Sequence, residues 1–264
     1  MSGRGRVLAI GGSDSGGGAG IQADIKAITA LGGYAATAVT AITVQNTLGV
    51  NGIHAVAPDV VVAQARAVID DIGCDAIKTG MLGAAATVEA VAALAAGVDA
   101  PLVVDPVMVA TSGAALLEPD ALEALRRLIA RADLATPNAP EAARLTGLAV
   151  ASTDDLRRAG ERLLTDGARA VLMKGGHVAG ESVIDLLMTA DGETRFSSPR
   201  VDTRHTHGTG CALAAACATG LAQGLSVAEA VARAHAYVAE AIRRAPGLGA
   251  GNGPIGLGWP AAGA

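Results

Sequence analysis

The sequence is poor in aromatic residues, cysteine and lysine. Its 264 residues include one Phe, one Trp and two Tyr, and aromatic residues make up 2% of the chain. The three cysteines form no C-x-x-C pair and no even set, which argues against a disulfide framework and favours a reducing compartment. Among the 20 basic residues, the only lysines are Lys26, Lys78 and Lys174.

Long apolar runs and blocks of like charge are also missing. No apolar run approaches the roughly 18 residues of a membrane span, and the apolar stretch in MSGRGRVLAIGG is too short for a signal peptide. The net charge is −5, and no stretch has a block of five like charges, which argues against a nucleic-acid or polybasic membrane surface. We therefore expect a cytoplasmic protein that binds neither membrane nor nucleic acid.

The chain is instead rich in small and apolar residues. Hydrophobic residues make up 51% of it, charged residues 17%, and glycine occurs 35 times. Disordered chains are poor in apolar residues and rich in charge, so this composition predicts a folded chain with one sizeable core. We expect a single domain over residues 1–264, with a mobile tail after about residue 256.

Short β-branched runs alternate with longer segments of helical period. The runs are Val7–Ile10, Ala35–Thr43, Ala76–Lys78, Leu102–Asp105, Asp133–Thr136 and Ala170–Lys174. The predicted helices are Ile21–Leu31, Pro58–Ile72, Ala84–Ala96, Pro119–Ala132, Thr153–Asp166, Gly208–Gln223 and Val227–Arg244. A hairpin is predicted from Ser182–Met188 and Thr194–Ser198. This order predicts an α/β fold, a three-layer αβα sandwich whose central sheet is mostly parallel with helices on both faces.

A glycine-rich loop, GGSDSGGGAG, follows the first predicted strand and precedes a helix. It is not a phosphate-binding Walker loop, because no Gly-Lys pair occurs in the chain. Gly18, Gly20 and Ala23 match the dinucleotide fingerprint in part, but the segment TAITVQN lacks the acidic residue that this fingerprint requires. A nicotinamide site and a tight turn that brings helix and strand together both remain open.

A second loop, HTHGTGC, precedes a helix of small residues. Free backbone N–H groups at a helix N-terminus, together with the helix dipole, attract negative charge. This loop therefore predicts a cradle for the charge that develops on a phosphoryl group during transfer. The alternative is an ordinary glycine-rich N-cap.

Further polar residues lie where predicted strands end, the edge at which ligands bind to such sheets. They are Asp105 in VVDPVM, Asn138 and Glu141 in TPNAPEA, and Lys174 in VLMKGGH. Each alone is compatible with a helix cap or a surface group. Together they provide carboxylates for hydrated Mg²⁺ and a cation for phosphates, which phosphoryl transfer requires.

With these motifs in place, the sequence resembles the ribokinase-like superfamily and, within it, the hydroxymethylpyrimidine/phosphomethylpyrimidine kinases of thiamine biosynthesis. The resemblance extends from about Val7 to Pro254. The motifs that carry it are AIGGSDSGGGAGIQADIKA, TAVTAITVQNT, AIKTGML, VVDPVMVATSG, ATPNAPEA, VLMKGGH, HTHGTGC and GNGPI. It implies a ribokinase-like fold and a homodimer. The implied activity is ATP- and Mg²⁺-dependent phosphorylation of 4-amino-5-hydroxymethyl-2-methylpyrimidine to its monophosphate and then its diphosphate.

The resemblance also implies roles for individual residues. The pyrimidine pocket corresponds to Gly12, Asp24, Gln45, Met81 and Val107. The surroundings of Mg²⁺ and the ATP phosphates correspond to Asp105, Asn138 and Glu141, with Asp105 and Glu141 reaching the metal through water. Lys174 approaches the phosphates, Gly208, Thr209, Gly210 and Cys211 form the anion hole, and Thr209 also contacts the nucleotide.

By resemblance, Cys211 corresponds to the last residue of the anion-hole motif. In the sugar kinases of this superfamily that residue is Asp, the catalytic base. A thiol at a helix N-terminus can have a lowered pKa, and Cys211 is then expected to accept the proton of the substrate alcohol. In the second reaction the nucleophile is an ionised phosphate, which a neutral thiol would not repel. We hypothesise that Cys211 allows one site to use both acceptors.

The histidines and the substrate leave alternatives open. His235 lies where relatives often have a lysine, so either a buried structural role or a place near the nucleotide fits it. His205 and His207 flank the anion loop as scaffold or as contacts to a substrate phosphate, and His177 is assigned to the nucleotide side. The rival functions are a pyridoxal or pyridoxine kinase, a non-catalytic vitamin-binding homologue and a nicotinamide-dependent dehydrogenase.

Overall fold

The computed structural model describes residues 4–259, which form a sheet of nine strands covered by helices on both faces. The strands are β1 (Arg6–Asp14), β2 (Tyr34–Asn46), β3 (Gly49–Ala55), β4 (Ala76–Thr79), β5 (Leu102–Val104), β6 (Leu134–Ala135), β7 (Ala170–Met173), β8 (Ser182–Thr189) and β9 (Gly192–Pro199). Their order in the sheet is β3-β2-β1-β4-β5-β6-β7-β8-β9.

The inner strands, from β2 through β1 and β4 to β7, pair in parallel, whereas β3, β8 and β9 are antiparallel to their neighbours. The predicted hairpin is present as β8 and β9. Strand β3 was not predicted, because GVNGIHA contains two glycines and few apolar residues and lies at the exposed edge of the sheet.

The helices are α1 (Gly20–Ala30), α2 (Pro58–Asp71), α3 (Ala85–Ala95), α4 (Leu122–Ile129), α5 (Ala139–Thr146), α6 (Thr153–Thr165), α7 (Thr209–Ala222) and α8 (Val227–Arg243), and a 3-10 turn at Pro119–Ala121 precedes α4. Helices α2 to α6 cover one face of the sheet, and α1, α7 and α8 cover the other. The predicted αβα sandwich is confirmed. Over residues 4–259, no helix combines the length and the apolar character needed to cross a membrane.

Strand β1 shows why the inner strands lack polar alternation. Leu8 and Ile10 pack into the core under α2 to α6, whereas Val7 and Ala9 pack into the core under α1, α7 and α8. Successive side chains of a strand point to opposite faces, and both faces are covered here. Strands of this kind therefore consist of nearly continuous apolar residues.

Small residues allow α7 to lie buried between the sheet and its neighbouring helices. All residues from 212 to 220 are buried, and a Cβ placed on Gly220 would lie 2.6 Å from the Cβ of Ala230 on α8. This close approach explains why the segment consists mainly of alanine and glycine. It also brings the N-terminus of α7 to the carboxyl ends of the central strands.

The sheet topology determines where a ligand can bind. From β1 the chain passes to β2 on one side, and β4 then pairs with β1 on the other side. A crevice forms outside the carboxyl ends of parallel strands where the strand order reverses in this way. The loops after β1 and β4, and those after β5, β6 and β7, therefore line one edge of the sheet.

The described part of the C-terminal tail is packed against the body of the protein. Ile255 and Leu257 are buried in the core under α8, and the Trp259 Nε1 donates to the Tyr237 carbonyl at 3.3 Å. The apolar side chains of Leu257 and Trp259 contact the body of the protein, and the predicted mobility after about residue 256 stays a prediction. Residues 260–264 of that predicted tail lie outside the described residues.

Candidate active site

A cavity of about 680 Å³ lies at the carboxyl ends of the central strands. Every residue that the sequence assigned to a site lines it. These residues are Gly12, Asp24, Gln45, Met81, Val107, Asp105, Asn138, Glu141, Lys174, Gly208, Thr209, Gly210 and Cys211. They come from eight separate stretches of the chain, and the parallel sheet brings them to one edge.

Lys174 lies between two carboxylates at one end of the cavity. Its Nζ is 2.9 Å from Asp105 Oδ1 and 3.8 Å from Glu141 Oε2. The Lys174 side chain is 12% exposed and that of Asp105 2% exposed. Burial opposes the charge on Lys174, but the Asp105 and Glu141 carboxylates outweigh it and raise the pKa of the ammonium group. Lys174 is therefore a fixed cation at physiological pH.

Asn138 and Glu141 cap helix α5 and also face the cavity. The Asn138 Oδ1 accepts from the Glu141 amide at 2.9 Å, and the Glu141 Oε2 accepts from the Asn138 amide at 2.8 Å. This reciprocal capping box aims the Glu141 carboxylate at Lys174. Asn138 and Glu141 can therefore cap helix α5 and line the candidate site at the same time. The N-A-P-E spacing is also the signal by which the unpredicted helix α5 could have been found.

The carboxylates at the Lys174 end of the cavity are possible ligands for a divalent cation. Among residues 4–259, no group of three or more His, Cys, Asp or Glu side chains could hold a metal ion. Mg²⁺ commonly takes one or two protein carboxylates and completes its shell with water and substrate phosphates. Asp105 and Glu141 fit that pattern. Burial raises the pKa of Glu141 to about 7, although Lys174 acts in the opposite direction.

The loop before α7 requires glycine at two positions. Gly208 has a φ of +86°, and a Cβ there would lie 1.8 Å from the Gly18 carbonyl oxygen. A Cβ on Gly210 would lie 3.2 Å from Lys174 Nζ and 3.7 Å from Asp105 Oδ2. The Gly210 and Cys211 amides, in the first turn of α7, have no carbonyl acceptor within the helix. The loop thus leaves backbone donors beside the Lys174 ammonium.

The Thr209 hydroxyl takes part in the structure of the loop before α7. The Thr209 Oγ1 donates to the Thr206 carbonyl at 2.7 Å. This bond closes the turn that leads into α7. The predicted contact between Thr209 and the nucleotide stays a prediction.

Cys211 differs from expectation in its protonation. The sequence predicted a thiol whose pKa is lowered by the N-terminus of α7, and this was wrong. Burial raises the pKa of Cys211 to about 12, and Asp24 and Asp105 act in the same direction while Lys78 opposes them. The loss of water and the two carboxylates outweigh Lys78. Cys211 is therefore a neutral thiol at physiological pH.

Beneath Cys211 lies a buried ion pair that the sequence analysis did not assign. Lys78 Nζ is 2.9 Å from both carboxylate oxygens of Asp24, and the two side chains are 1% and 0% exposed. Burial raises the pKa of Asp24 to about 6, and Lys78 opposes this shift. Because Lys78 occupies both oxygens, direct contact between Asp24 and substrate stays a prediction. Lys78 in IKTGM is one of three lysines in the chain, which marks it as an ammonium that arginine would not replace, but its partner Asp24 was not predicted.

At the other end of the cavity, Gln45 lies beside His207. Gln45 Nε2 lies 3.2 Å from His207 Nε2, which in turn lies 2.9 Å from Asp14 Oδ2. His207 is therefore a scaffold between the two glycine-rich loops. A Cβ on Gly12 would lie 3.0 Å from the Met81 sulfur, so Gly12 and Met81 form one wall of this end.

Asp14 organises the first glycine-rich loop and was not assigned from the sequence. Its carboxylate accepts from the amides of Gly16, Gly18 and Ala19 at 2.8, 3.0 and 2.8 Å. The loop is therefore a tight turn fixed by a carboxylate. Its backbone amides bond to Asp14, a role that differs from the binding of a dinucleotide pyrophosphate.

His235 and His177 lie at the Lys174 end of the cavity. His235 Nε2 is 3.8 Å from Asp185 Oδ2, and the His235 ring lies 5.8 Å from that of Phe196. His177 also lines the cavity, and burial, with Lys174 and Arg200 nearby, lowers its pKa. His177 is therefore neutral near pH 7. The contacts of His235 fit a structural role, and its place near the nucleotide stays a prediction.

Comparisons with known proteins agree with this arrangement. The family model described as phosphomethylpyrimidine kinase matches residues 14–256. The chain is similar to the hydroxymethylpyrimidine/phosphomethylpyrimidine kinase of Streptomyces coelicolor, with 53% identity over 254 residues that cover 96% of this chain and 94% of that protein.

Two solved structures show the same fold. The phosphomethylpyrimidine kinase of Clostridium difficile 630 superimposes with a TM-score of 0.80 at 39% identity, covering 90% of this chain and 99% of that one. The pyridoxal kinase of Staphylococcus aureus in complex with AMP-PCP and pyridoxal superimposes with a TM-score of 0.89 at 34% identity, covering 96% and 93%. On the family match, the relatives and the shared fold, this chain is a kinase that belongs to the phosphomethylpyrimidine kinase family.

Proposed function

We propose that the protein uses ATP to phosphorylate 4-amino-5-hydroxymethyl-2-methylpyrimidine and then the resulting monophosphate, in the biosynthesis of thiamine diphosphate. The observation that carries the proposal is the arrangement of the cavity. One end holds a fixed cation, two carboxylates and the N-terminus of α7, and the other end holds Gln45, Gly12 and Met81. A phosphate donor and a small polar ring can therefore meet within one site.

The two ends of the cavity would bind different reactants. Gln45 offers an amide donor and acceptor to the aminopyrimidine ring, and Gly12, Met81 and Val107 surround the ring. Lys174 and the first amides of α7 would stabilise the charge on the phosphoryl group during transfer. Preorganised donors of this kind need no rearrangement when that charge develops.

Mg²⁺ would be held by Asp105 and Glu141, partly through water, with Asn138 fixing the orientation of Glu141. When bound with ATP it would neutralise charge on the phosphate oxygens. Lys174 now pairs with both carboxylates. Lys174 would exchange part of that pairing for the phosphates when ATP is present.

Cys211 would serve both acceptors because it carries no charge. Phosphoryl transfer is largely dissociative, so the alcohol can lose its proton late, to an oxygen of the transferred phosphoryl group, and a strong base is not required. The monophosphate is already ionised, and a carboxylate at position 211 would repel it.

We therefore expect Cys211→Asp to lower kcat/KM for the monophosphate about tenfold more than for the alcohol, the size of about one like-charge interaction in a partly shielded site. Steady-state kinetics on the two acceptors measures this ratio. Cys211→Ser, which is also neutral and small, is the matched control and should leave the ratio near that of the wild type. Equal losses on both acceptors in Cys211→Asp would contradict this role.

A pyridoxal or pyridoxine kinase is the second candidate, favoured by the similarity to the Staphylococcus aureus enzyme. Which of the two substrates the site prefers depends on the contacts that Gln45 and Met81 make with the substrate ring. Steady-state turnover of the pyrimidine alcohol and of pyridoxal, measured side by side, decides between them. A non-catalytic vitamin-binding protein would turn over neither.

The assembly and location are also proposals. We propose a homodimer in the cytoplasm that binds no nucleic acid, supported by the family resemblance and by the net charge of −5. Sedimentation equilibrium measures the first of these directly.

A further inference from the structure

The loop that follows Lys174 has an unusual number of hydrogen bonds from outside itself. Residues 175–180, GGHVAG, connect β7 to β8, and we call them the 175–180 loop. Gly176 and His177 line the cavity. Three of the six residues are glycine, so an unrestrained loop of this composition would lose much conformational entropy on becoming ordered.

Arg200 bonds to three carbonyls of this loop. Its Nε donates to the Gly180 oxygen at 2.8 Å, and its two terminal nitrogens donate to the Gly176 oxygen at 2.8 Å and the Val178 oxygen at 2.6 Å. Arg200 lies directly after β9, and its own amide donates to the Glu181 carbonyl at 2.8 Å. One planar guanidinium thus fixes three points of the loop, which a single ammonium could not do with the same geometry.

Asp185 fixes the start of the loop from the opposite side. The Gly175 amide donates to Asp185 Oδ1 at 2.8 Å, and a Cβ on Gly175 would lie 1.9 Å from the Ile184 carbonyl oxygen. The backbone directly after Lys174 therefore lies on β8. The Asp185 carboxylate is buried and is approached by His235.

We infer that Asp185 and Arg200 are positioning residues for phosphoryl transfer, which hold the 175–180 loop so that Lys174 and the wall formed by Gly176 and His177 are preorganised for ATP. This inference rests on the proposed assignment of the Lys174 end of the cavity to ATP. Asp185 and Arg200 also line the cavity, but their hydrogen bonds go to the backbone of the loop. Each acts through the backbone of the loop.

The bonds around Lys174 show how the position of its ammonium group depends on this support. The Lys174 amide donates to the Pro137 carbonyl at 2.9 Å on one side, and Asp185 holds the next residue on the other. These contacts place Nζ 2.9 Å from Asp105. Displacement of a catalytic group by about 1 Å can cost about a hundredfold in rate.

The first test is Arg200→Met, which keeps the aliphatic stem and removes the donors. We expect the Kd for ATP, measured by titration calorimetry, to rise about tenfold, the effect of losing one or two net hydrogen bonds. We also expect the KM for the pyrimidine to stay at its wild-type value. Millimolar guanidinium should restore part of the ATP affinity, because it can occupy the vacated fork. Arg195→Met, on β9 and outside the cavity, is the matched control and should not change either constant.

The second test separates the acceptor oxygen of Asp185 from its charge. Asp185→Asn keeps an oxygen for the Gly175 amide and is expected to retain kcat within about threefold, whereas Asp185→Leu removes the oxygen and is expected to lose about a hundredfold. Circular dichroism measures the folded fraction of each variant, so that kcat is compared between folded proteins.

The outcomes distinguish this inference from the proposed function. Wild-type affinity for ATP in Arg200→Met, or equal loss of ATP and pyrimidine binding, would overturn the positioning role of Arg200. Equal kcat in Asp185→Asn and Asp185→Leu would overturn that of Asp185. If the wild type binds ATP but does not phosphorylate the pyrimidine, the proposed function fails, and the calorimetric comparison of Arg200→Met with Arg195→Met still decides the role of the loop.

Discussion

The Lys174→Arg variant is expected to fold and to lose at least about a hundredfold in kcat, the effect of removing one preorganised donor to a developing charge. Both residues are cations, but the site admits only the compact one. A Cβ on Gly210 would already lie 3.2 Å from Lys174 Nζ, so a guanidinium has no room beside the loop. It would push against Gly210 or withdraw from Asp105.

Lys174→Met extends the same prediction by removing the charge. We expect kcat to fall about a thousandfold, the lower end of the effect of a catalytic arginine on phosphoryl transfer. The buried Asp105 and Glu141 carboxylates would lose their cation, so the free energy of unfolding should fall by about 3 kcal/mol. Denaturant unfolding and single-turnover phosphorylation measure the two effects separately.

The matched control for these variants is Lys26→Arg. Lys26 Nζ donates to the Gly17 carbonyl at 2.6 Å and is exposed, so a guanidinium can replace it. Full activity in Lys174→Arg, or equal losses in Lys174→Arg and Lys26→Arg, would contradict a specific need for an ammonium group at position 174.

The second large effect is expected at the glycines of the loop before α7. Gly210→Ala should fold and lose roughly tenfold to a hundredfold in kcat, because its methyl group enters the space beside Lys174 and displaces the reacting groups. Gly208→Ala should instead fail to fold stably. Its φ of +86° and the 1.8 Å approach to the Gly18 carbonyl leave no place for a side chain.

Gly147 provides a control for the backbone conformation alone. Its φ is +75° at the end of α5, and nothing lies within 4 Å of the added Cβ. Gly147→Ala is therefore expected to cost about 1 kcal/mol of stability and to leave kcat unchanged. Thermal unfolding and steady-state turnover of the three variants test this. A fully active Gly210→Ala would show that the space beside Lys174 is not used in catalysis.

The inner strands were predictable from the sequence, and the edge of the sheet was not. Buried strands such as β1 and β7 are continuous apolar runs because both faces are covered. Strand β3 pairs only with β2 and is largely exposed, so its residues are under little pressure to be apolar. Helix α5 has eight residues, too few for a clear helical period, and its capping box, Pro140 and the C-terminal Gly147 are the signals that mark it.

The site was predictable where residues directly follow strands. Asp105, Asn138 and Lys174 stand out because parallel strands bring their carboxyl ends to one edge. The role of Asp14 and the pairing of Lys78 with Asp24 were not predicted, since both depend on partners far away in the chain. The pKa of Cys211 was predicted in the wrong direction because the helix terminus is local in sequence, whereas burial and the two carboxylates are not.

The most direct test of the central claim is product analysis by mass spectrometry after incubation of the protein with the pyrimidine alcohol, ATP and Mg²⁺. The arrangement of the Lys174 and Gln45 ends in one cavity predicts both the monophosphate and the diphosphate of the pyrimidine, the second appearing as the first accumulates. Phosphorylation of pyridoxal with no pyrimidine product, or no transfer to either acceptor by folded protein, would contradict it.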